Sequence, residues 1–123
     1  MATILLIDDD EAFRLVLKTV LTRSDHEVPD VRTGMEAMTI CEQRIPDLVI
    51  TDLVMPEREG LETIIALRQL APDVPIIAIS GAGGSDAGIY LKIARRLGAR
   101  RTLAKPFGPE AILQAIDDVL APV

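Results

Sequence analysis

Aromatic residues are almost absent from this chain of 123 residues, which has no tryptophan, one tyrosine and two phenylalanines. That excludes the stacking platform on which single-stranded nucleic acids are held. Positive charge is in deficit too. A formal net charge of −6 argues against direct nucleic-acid binding by this domain. Cysteine is reduced to Cys41, so no internal disulfide can form. Cys41 lies in a helical pattern and reads as a small packing residue in a reducing compartment. No apolar run approaches the roughly 20 residues of a membrane span, so no membrane partner is expected. Met1-Ala2-Thr3 leads straight into an apolar segment, with no basic stretch or cleavage-like site. A secretion signal is therefore not expected, and the cytoplasm is the expected location. The single histidine, His26, reads as an edge-strand surface residue rather than a ligand, and Tyr90 as packing.

What is present is a strict alternation of strand and helix patterns. A hydrophobic content of 49% supplies a real core, and the length suits one domain, residues 1–123. Ile4–Ile7, Leu48–Ile50 and Ile76–Ile79 are apolar throughout, as central strands of a parallel sheet must be. The segment near Glu27–Val31 is polar and contains Pro29, which cannot donate a ladder hydrogen bond and belongs at an edge. The segment near Arg100–Ala104 starts polar and suits the other edge. Between them, Phe13, Val16, Leu17, Val20 and Leu21 recur at helical spacing. Thr33-Gly34-Met35-Glu36 reads as a capping box. A third helix follows Gly60, with Leu61, Ile64, Ile65 and Leu67, and stops near Pro72. A fourth runs from a Ser85 cap to Gly98. Gly108-Pro109-Glu110 opens the last, with Ile112, Leu113, Ile116, Val119 and Leu120 on its apolar face. Five such strand–helix pairs with right-handed crossovers predict a doubly wound α/β domain with strand order 2-1-3-4-5. Its binding crevice lies outside the carboxyl ends of strands 1 and 3, where the order reverses.

Reactive groups stand at those ends. The first strand runs into Asp8-Asp9-Asp10, the third into Asp52, the fourth into Ser80 and the fifth into Lys105-Pro106. Each alone has a bland explanation: helix capping for the first acids, a turn for Asp52, a loop hydroxyl, a surface lysine. For Asp10 capping is the reading kept. Jointly, Asp8, Asp9, Asp52, Ser80 and Lys105 suit phosphoryl chemistry on a carboxylate. Crowded carboxylates repel one another, and a divalent cation relieves that repulsion. Oxygen donors of this kind suit magnesium, or manganese, shared with a phosphate. A carboxylate beside the cation can attack phosphorus, and the rest of catalysis is positioning.

Asp8-Asp9, Asp52 with Met55-Pro56 and Gly60, Ser80, and Lys105-Pro106-Phe107 together resemble the pattern of response-regulator receiver domains of two-component signalling systems, over nearly the whole chain. The resemblance implies a flavodoxin-like (βα)5 fold and a phosphorylation-driven switch that assists its own phosphorylation and dephosphorylation without being a turnover enzyme. It implies that Asp52 accepts a phosphoryl group from a sensor histidine kinase or a histidine phosphotransfer protein. Asp9 would then bind Mg2+ (or Mn2+) directly, with Asp52 also a metal ligand. Asp8 would act through water or by orienting the site, and the Val54 carbonyl would be a further ligand. Lys105 would pair with the phosphoryl group, its bond to Pro106 being cis, and Ser80 would report the phosphate. One departure stands out. The family's usual aromatic three positions before the lysine is Thr102 here, too small to fill that volume. Readout could then run through backbone shifts or the segment Gly81-Ala82-Gly83-Gly84, which is not a dinucleotide fingerprint.

Arg95, Arg96, Arg100 and Arg101 read either as a solvated helix end or, with Ile89 and Ile93, as a docking face for a downstream protein. Two competing functions remain. A phosphorylation-independent interaction module on the same fold is favoured by Thr102. A magnesium-dependent aspartyl phosphatase would commonly carry an acid two residues after its nucleophile, and Val54 stands there. The chain reads either as a stand-alone receiver or as part of a longer regulator.

Overall fold

The computed structural model describes residues 2–53, 59–81 and 87–121. Its elements are β1 (Ile4–Ile7), α1 (Glu11–Arg23), β2 (Asp30–Val31), α2 (Gly34–Gln43), β3 (Leu48–Asp52), α3 (Glu59–Leu70), β4 (Ile76–Ser80), α4 (Ala87–Arg96), β5 (Arg101–Ala104) and α5 (Pro109–Leu120). The strands pair in parallel in the order β2-β1-β3-β4-β5, as the hydrophobic patterns predict.

Side chains alternate across the sheet, so each strand feeds two cores. Leu5, Ile7, Val49, Ile76 and Ala78 face one core, which contains Ala37 and Cys41 of α2, Ile64 and Leu67 of α3, and Ala94 of α4. Ile4, Leu6, Leu48, Ile50, Ile77 and Ile79 face the other, with Leu17 and Leu21 of α1 and Ile112, Ala115, Ile116 and Val119 of α5. Ile4, Leu6, Ile50 and Ile77 are fully buried. Burial of each such side chain contributes about 1.5–3 kcal/mol over exposure. Tyr90 packs against the first core.

Caps fix the helix ends. Asp10 accepts a hydrogen bond from the Phe13 N–H at 3.2 Å and opens α1. Thr33 Oγ1 accepts from the Glu36 N–H at 3.1 Å and opens α2. Beyond α4, Gly98 takes a φ of 114°. Its N–H bonds to the Arg95 carbonyl and that of Ala99 to the Ala94 carbonyl, closing the helix in the manner glycine allows. The expected Ser85 cap lies outside the described residues. His26 is half-buried, and its Nδ1 accepts from the Ala2 N–H at 3.2 Å.

Two details differ from expectation. β2 is shorter than the predicted Glu27–Val31, reduced to Asp30–Val31 plus a bridge between Thr3 and Glu27. The Pro29 carbonyl accepts from the Leu6 N–H at 3.0 Å, but proline has no N–H to return, so the ladder is interrupted there. On α1, Val16 is 63% exposed rather than in the core; it lies beside a shallow apolar groove with Phe13, Val20 and Phe107.

Candidate functional site

The register aligns the ends of the strands. Ile7 sits opposite Thr51, Asp52 opposite Ile79, and Ser80 opposite Ala104. Asp8, Asp52, Ser80 and Lys105 therefore emerge along one edge. Asp8, Asp52 and Ser80 are buried, whereas Asp9 is exposed. Lys105 Nζ lies 3.1 Å from Asp52 Oδ2 and 3.4 Å from Asp8 Oδ2, so one ammonium serves both anions. The Lys105–Pro106 bond is cis.

Asp8 is held firmly. Its Oδ1 accepts from the Asp10 N–H at 2.9 Å. Its carbonyl accepts from Arg14 Nη1 at 2.7 Å. Arg14 in turn pairs with Asp30 at 2.9 Å, as does Lys18 at 2.6 Å, tying α1 to β2 beside the acidic turn. Burial opposes ionisation of Asp30, but its bonds to Lys18 and Arg14 outweigh that and hold its carboxyl below the usual range. Asp8 goes the other way. Burial pushes its carboxyl up to about 6, the Asp52 charge adds to the rise, and the Asp10 N–H and Lys105 only partly offset it. For Lys105, burial disfavours the charge, yet Asp52 and Asp8 more than compensate and its pKa is raised.

Carboxylate oxygens of Asp8, Asp9 and Asp52 lie within 4.8 Å of one another. Opposite ligands of an octahedral magnesium, at 2.0–2.1 Å each, stand about 4.2 Å apart, so small side-chain adjustments bring these oxygens to coordinating distance. A carboxyl raised by burial and by the adjacent Asp52 charge is also what a cation would relieve. The donor set fits a hard divalent ion. Val54, whose carbonyl the resemblance adds to that set, lies outside the described residues, as do Met55, Pro56, Ala82, Gly83 and Gly84.

Ser80 Oγ is buried and has no hydrogen-bond partner among the described residues. Strand alternation puts Ser80 on the side of Ile76 and Ala78, facing α4. Thr102, opposite Ala78 in the register, shares that side and is half-buried. On the outer surface, Ile89 and Ile93 are exposed, as are Arg95, Arg96, Arg100 and Arg101. Arg101 is not free, because it pairs with Asp118 of α5 at 2.5 Å.

Two residues that the sequence reading did not assign to the site stand beside it. Lys105 Nζ lies 3.8 Å from the centroid of the Phe13 ring. Phe107 meets that ring edge-on, with centroids 5.9 Å apart and planes at 84°. The available signal was compositional: both phenylalanines of an aromatic-poor chain follow closely on Asp8-Asp9 and on Lys105.

A family model described as the response regulator receiver domain matches residues 4–117. The chain belongs to the response-regulator receiver family. This receiver is 32% identical over 117 residues to chemotaxis protein CheY of Halobacterium salinarum, covering 95% of each chain. It is 38% identical over 122 residues to the DNA-binding transcriptional regulator NtrC of Azospirillum brasilense, spanning 97% of this chain and 24% of that one. Among solved structures, chemotaxis response regulator CheY4 of Vibrio cholerae superposes with a TM-score of 0.85 at 29% identity, covering 98% of this chain and 99% of that one. The receiver thus has the CheY-like flavodoxin fold that the resemblance implies, with the strand order that the hydrophobic patterns predict. Among its described residues, no helix is long and apolar enough to cross a membrane.

Proposed function

We propose that this receiver is a phosphoacceptor switch in which Asp52 takes a phosphoryl group from the phosphohistidine of a sensor histidine kinase or histidine phosphotransfer protein. The observation that carries this reading is the Lys105 ammonium seated 3.1 Å from Asp52 in a buried acidic crevice. An Asp52 oxygen attacks phosphorus, the P–N bond breaks and the imidazole leaves with the electron pair. The product is an acyl phosphate on Asp52. The transferring group carries charge on its outer oxygens, so the chain's part is to position and neutralise. Lys105 meets one of these oxygens. The Ser80 hydroxyl, without a partner among the described residues, donates to a second and so registers the phosphate. Asp9, the exposed acid, would hold Mg2+ (or Mn2+) directly, with Asp52 also among its ligands. Asp8 would orient the set or act through water, and the Val54 carbonyl, outside the described residues, would be a further ligand. When bound, the cation neutralises charge on the carboxylates and the incoming phosphate. Attack by water on phosphorus later breaks the bond to Asp52, releases inorganic phosphate and restores the carboxylate, so the protein assists its own phosphorylation and dephosphorylation but turns over no separate substrate.

The contact of Ser80 with the phosphate is read by a downstream protein in the cytoplasm at the face carrying Ile89, Ile93, Arg95, Arg96 and Arg100, with Arg101 tied to α5. Thr102 favours a second reading, a phosphorylation-independent interaction module. Intact mass after incubation with a small-molecule phosphodonor separates them. A single phosphoryl adduct that requires Mg2+ and is lost in Asp52→Asn supports the switch. No adduct, with Mg2+ still binding, moves the conclusion to the module. Sustained turnover of small phosphate esters would instead indicate an aspartyl phosphatase, which Val54 in the general acid/base position disfavours.

A further inference from the structure

We propose that Phe13 is a positioning residue for Lys105, its ring face holding the ammonium over the Asp52 carboxylate where an incoming phosphoryl oxygen will need it. The geometry of this inference stands by itself; its kinetic consequence rests on Asp52 being the phosphoacceptor. Lys105 Nζ is 3.8 Å from the ring centroid, well inside the roughly 6 Å within which the negative face of an aromatic ring attracts a cation. The lysine side chain is only 18% exposed, so water competes weakly for it. A lysine has a flexible stem of single bonds and would otherwise wander among rotamers. Here its ammonium contacts the ring face at 3.8 Å and the Asp52 and Asp8 carboxylates at 3.1 Å and 3.4 Å.

Phe13 is held at its backbone and at its ring. The Phe13 N–H is the donor that Asp10 caps, so the residue is tied to the acidic turn. Phe107, two residues beyond Lys105, braces the ring edge-on at 5.9 Å. The turn after β5 that carries the lysine and the helix carrying the ring are therefore held together through the two phenylalanines. Leucine at position 13 would fill much of the same space but offers no negative face.

The test has a spectroscopic and a kinetic arm. In the unphosphorylated protein, the Lys105 methylene protons next to Nζ are expected upfield of ordinary lysine positions because of the ring current. The shift should persist in Phe13→Tyr and disappear in Phe13→Leu. Ordinary Lys105 signals in the wild type overturn the proposal. In the kinetic arm, Phe13→Leu should slow adduct formation from a small-molecule phosphodonor by about threefold to tenfold, and Phe13→Tyr should restore it. In a Lys105→Gln background the Phe13→Leu change should add nothing, because the ring acts through the lysine. An equal loss in both backgrounds means packing alone and overturns the proposal. If Phe13→Leu does not fold, ring-fluorinated phenylalanine at position 13 keeps the shape and weakens the negative face. The rate should then fall stepwise with fluorination, and an unchanged rate overturns the proposal. Absence of any adduct on the wild type with the upfield shift present removes the phosphoacceptor reading and the kinetic role with it. An adduct with ordinary Lys105 signals removes only the part assigned to Phe13.

Discussion

Replacing Asp8 by asparagine should make this protein more stable at neutral pH while impairing its chemistry. Asp8 is buried, and its carboxyl titrates at about 6 rather than the ordinary 3.8. A carboxyl whose pKa is raised on folding favours the folded state below its unfolded pKa, and that contribution is lost as pH rises through the folded value. Between pH 4 and pH 6 the folded protein holds a proton that the unfolded chain has released. At pH 7 both are ionised and the folded state bears the cost of the buried charge. The gap between 3.8 and about 6 corresponds to roughly 3 kcal/mol. The amide introduced by Asp8→Asn would still accept from the Asp10 N–H but would leave Lys105 with one anion fewer. The expected net gain is therefore about 1–3 kcal/mol at pH 7.5, shrinking towards zero near pH 4. Urea unfolding in EDTA at the two pH values measures it through the midpoint at constant slope. Adding Mg2+ should then stabilise the wild type more than Asp8→Asn, because ligand binding stabilises only what it binds. A variant that is less stable than wild type at pH 7.5, or equally altered at both pH values, refutes the assignment of Asp8 as a destabilising buried charge.

Three further outcomes follow from particular contacts. A Cβ at Gly60 would stand 2.5 Å from the Asp52 carbonyl oxygen and 2.6 Å from Leu53 Cα, so Gly60→Ala should cost about 1–3 kcal/mol in chemical denaturation; a neutral substitution contradicts the close approach. Ser80 buries a hydroxyl without a partner among the described residues, so Ser80→Ala should be neutral or stabilising by up to about 1 kcal/mol, while phosphoryl transfer to Asp52 slows. Loss of stability in that variant would mean the hydroxyl is satisfied after all. The Arg101–Asp118 pair is solvent-exposed, so Asp118→Asn should change the unfolding free energy by less than about 1 kcal/mol, and a larger effect would show that the pair organises the β5–α5 edge.

Much of the architecture was legible because the central strands are apolar until their last one or two residues. Ile4–Ile7 and Ile76–Ile79 can only be strands buried on both faces, and their terminal Asp8 and Ser80 then fall at the same edge. Gly98 and Thr33 marked helix ends by chemistry that acts within a few residues, and both act as expected. Legibility failed where the outcome depends on what comes near in space. Val16 has the spacing of a core residue, but the groove beside Phe107 and Pro109 leaves it exposed. Pro29 could be placed at an edge, yet the sequence did not say that its carbonyl faces β1 while the missing N–H interrupts the ladder. The contact of Phe13 with Lys105 joins residues far apart in the chain through a ring face, and no local pattern encodes it. Arg101 looked like one more charge of a basic cluster until α5 brought Asp118 against it.

The central claim, that Asp52 becomes an acyl phosphate, is tested most directly by treating the phosphorylated protein with borohydride and mapping its peptides by mass. Borohydride reduces an aspartyl phosphate to homoserine and leaves free carboxylates untouched. Homoserine at position 52 alone, formed only with phosphodonor and Mg2+, is the predicted result. Homoserine at Asp8 or Asp9, or none anywhere despite a measured phosphoryl adduct, would contradict it.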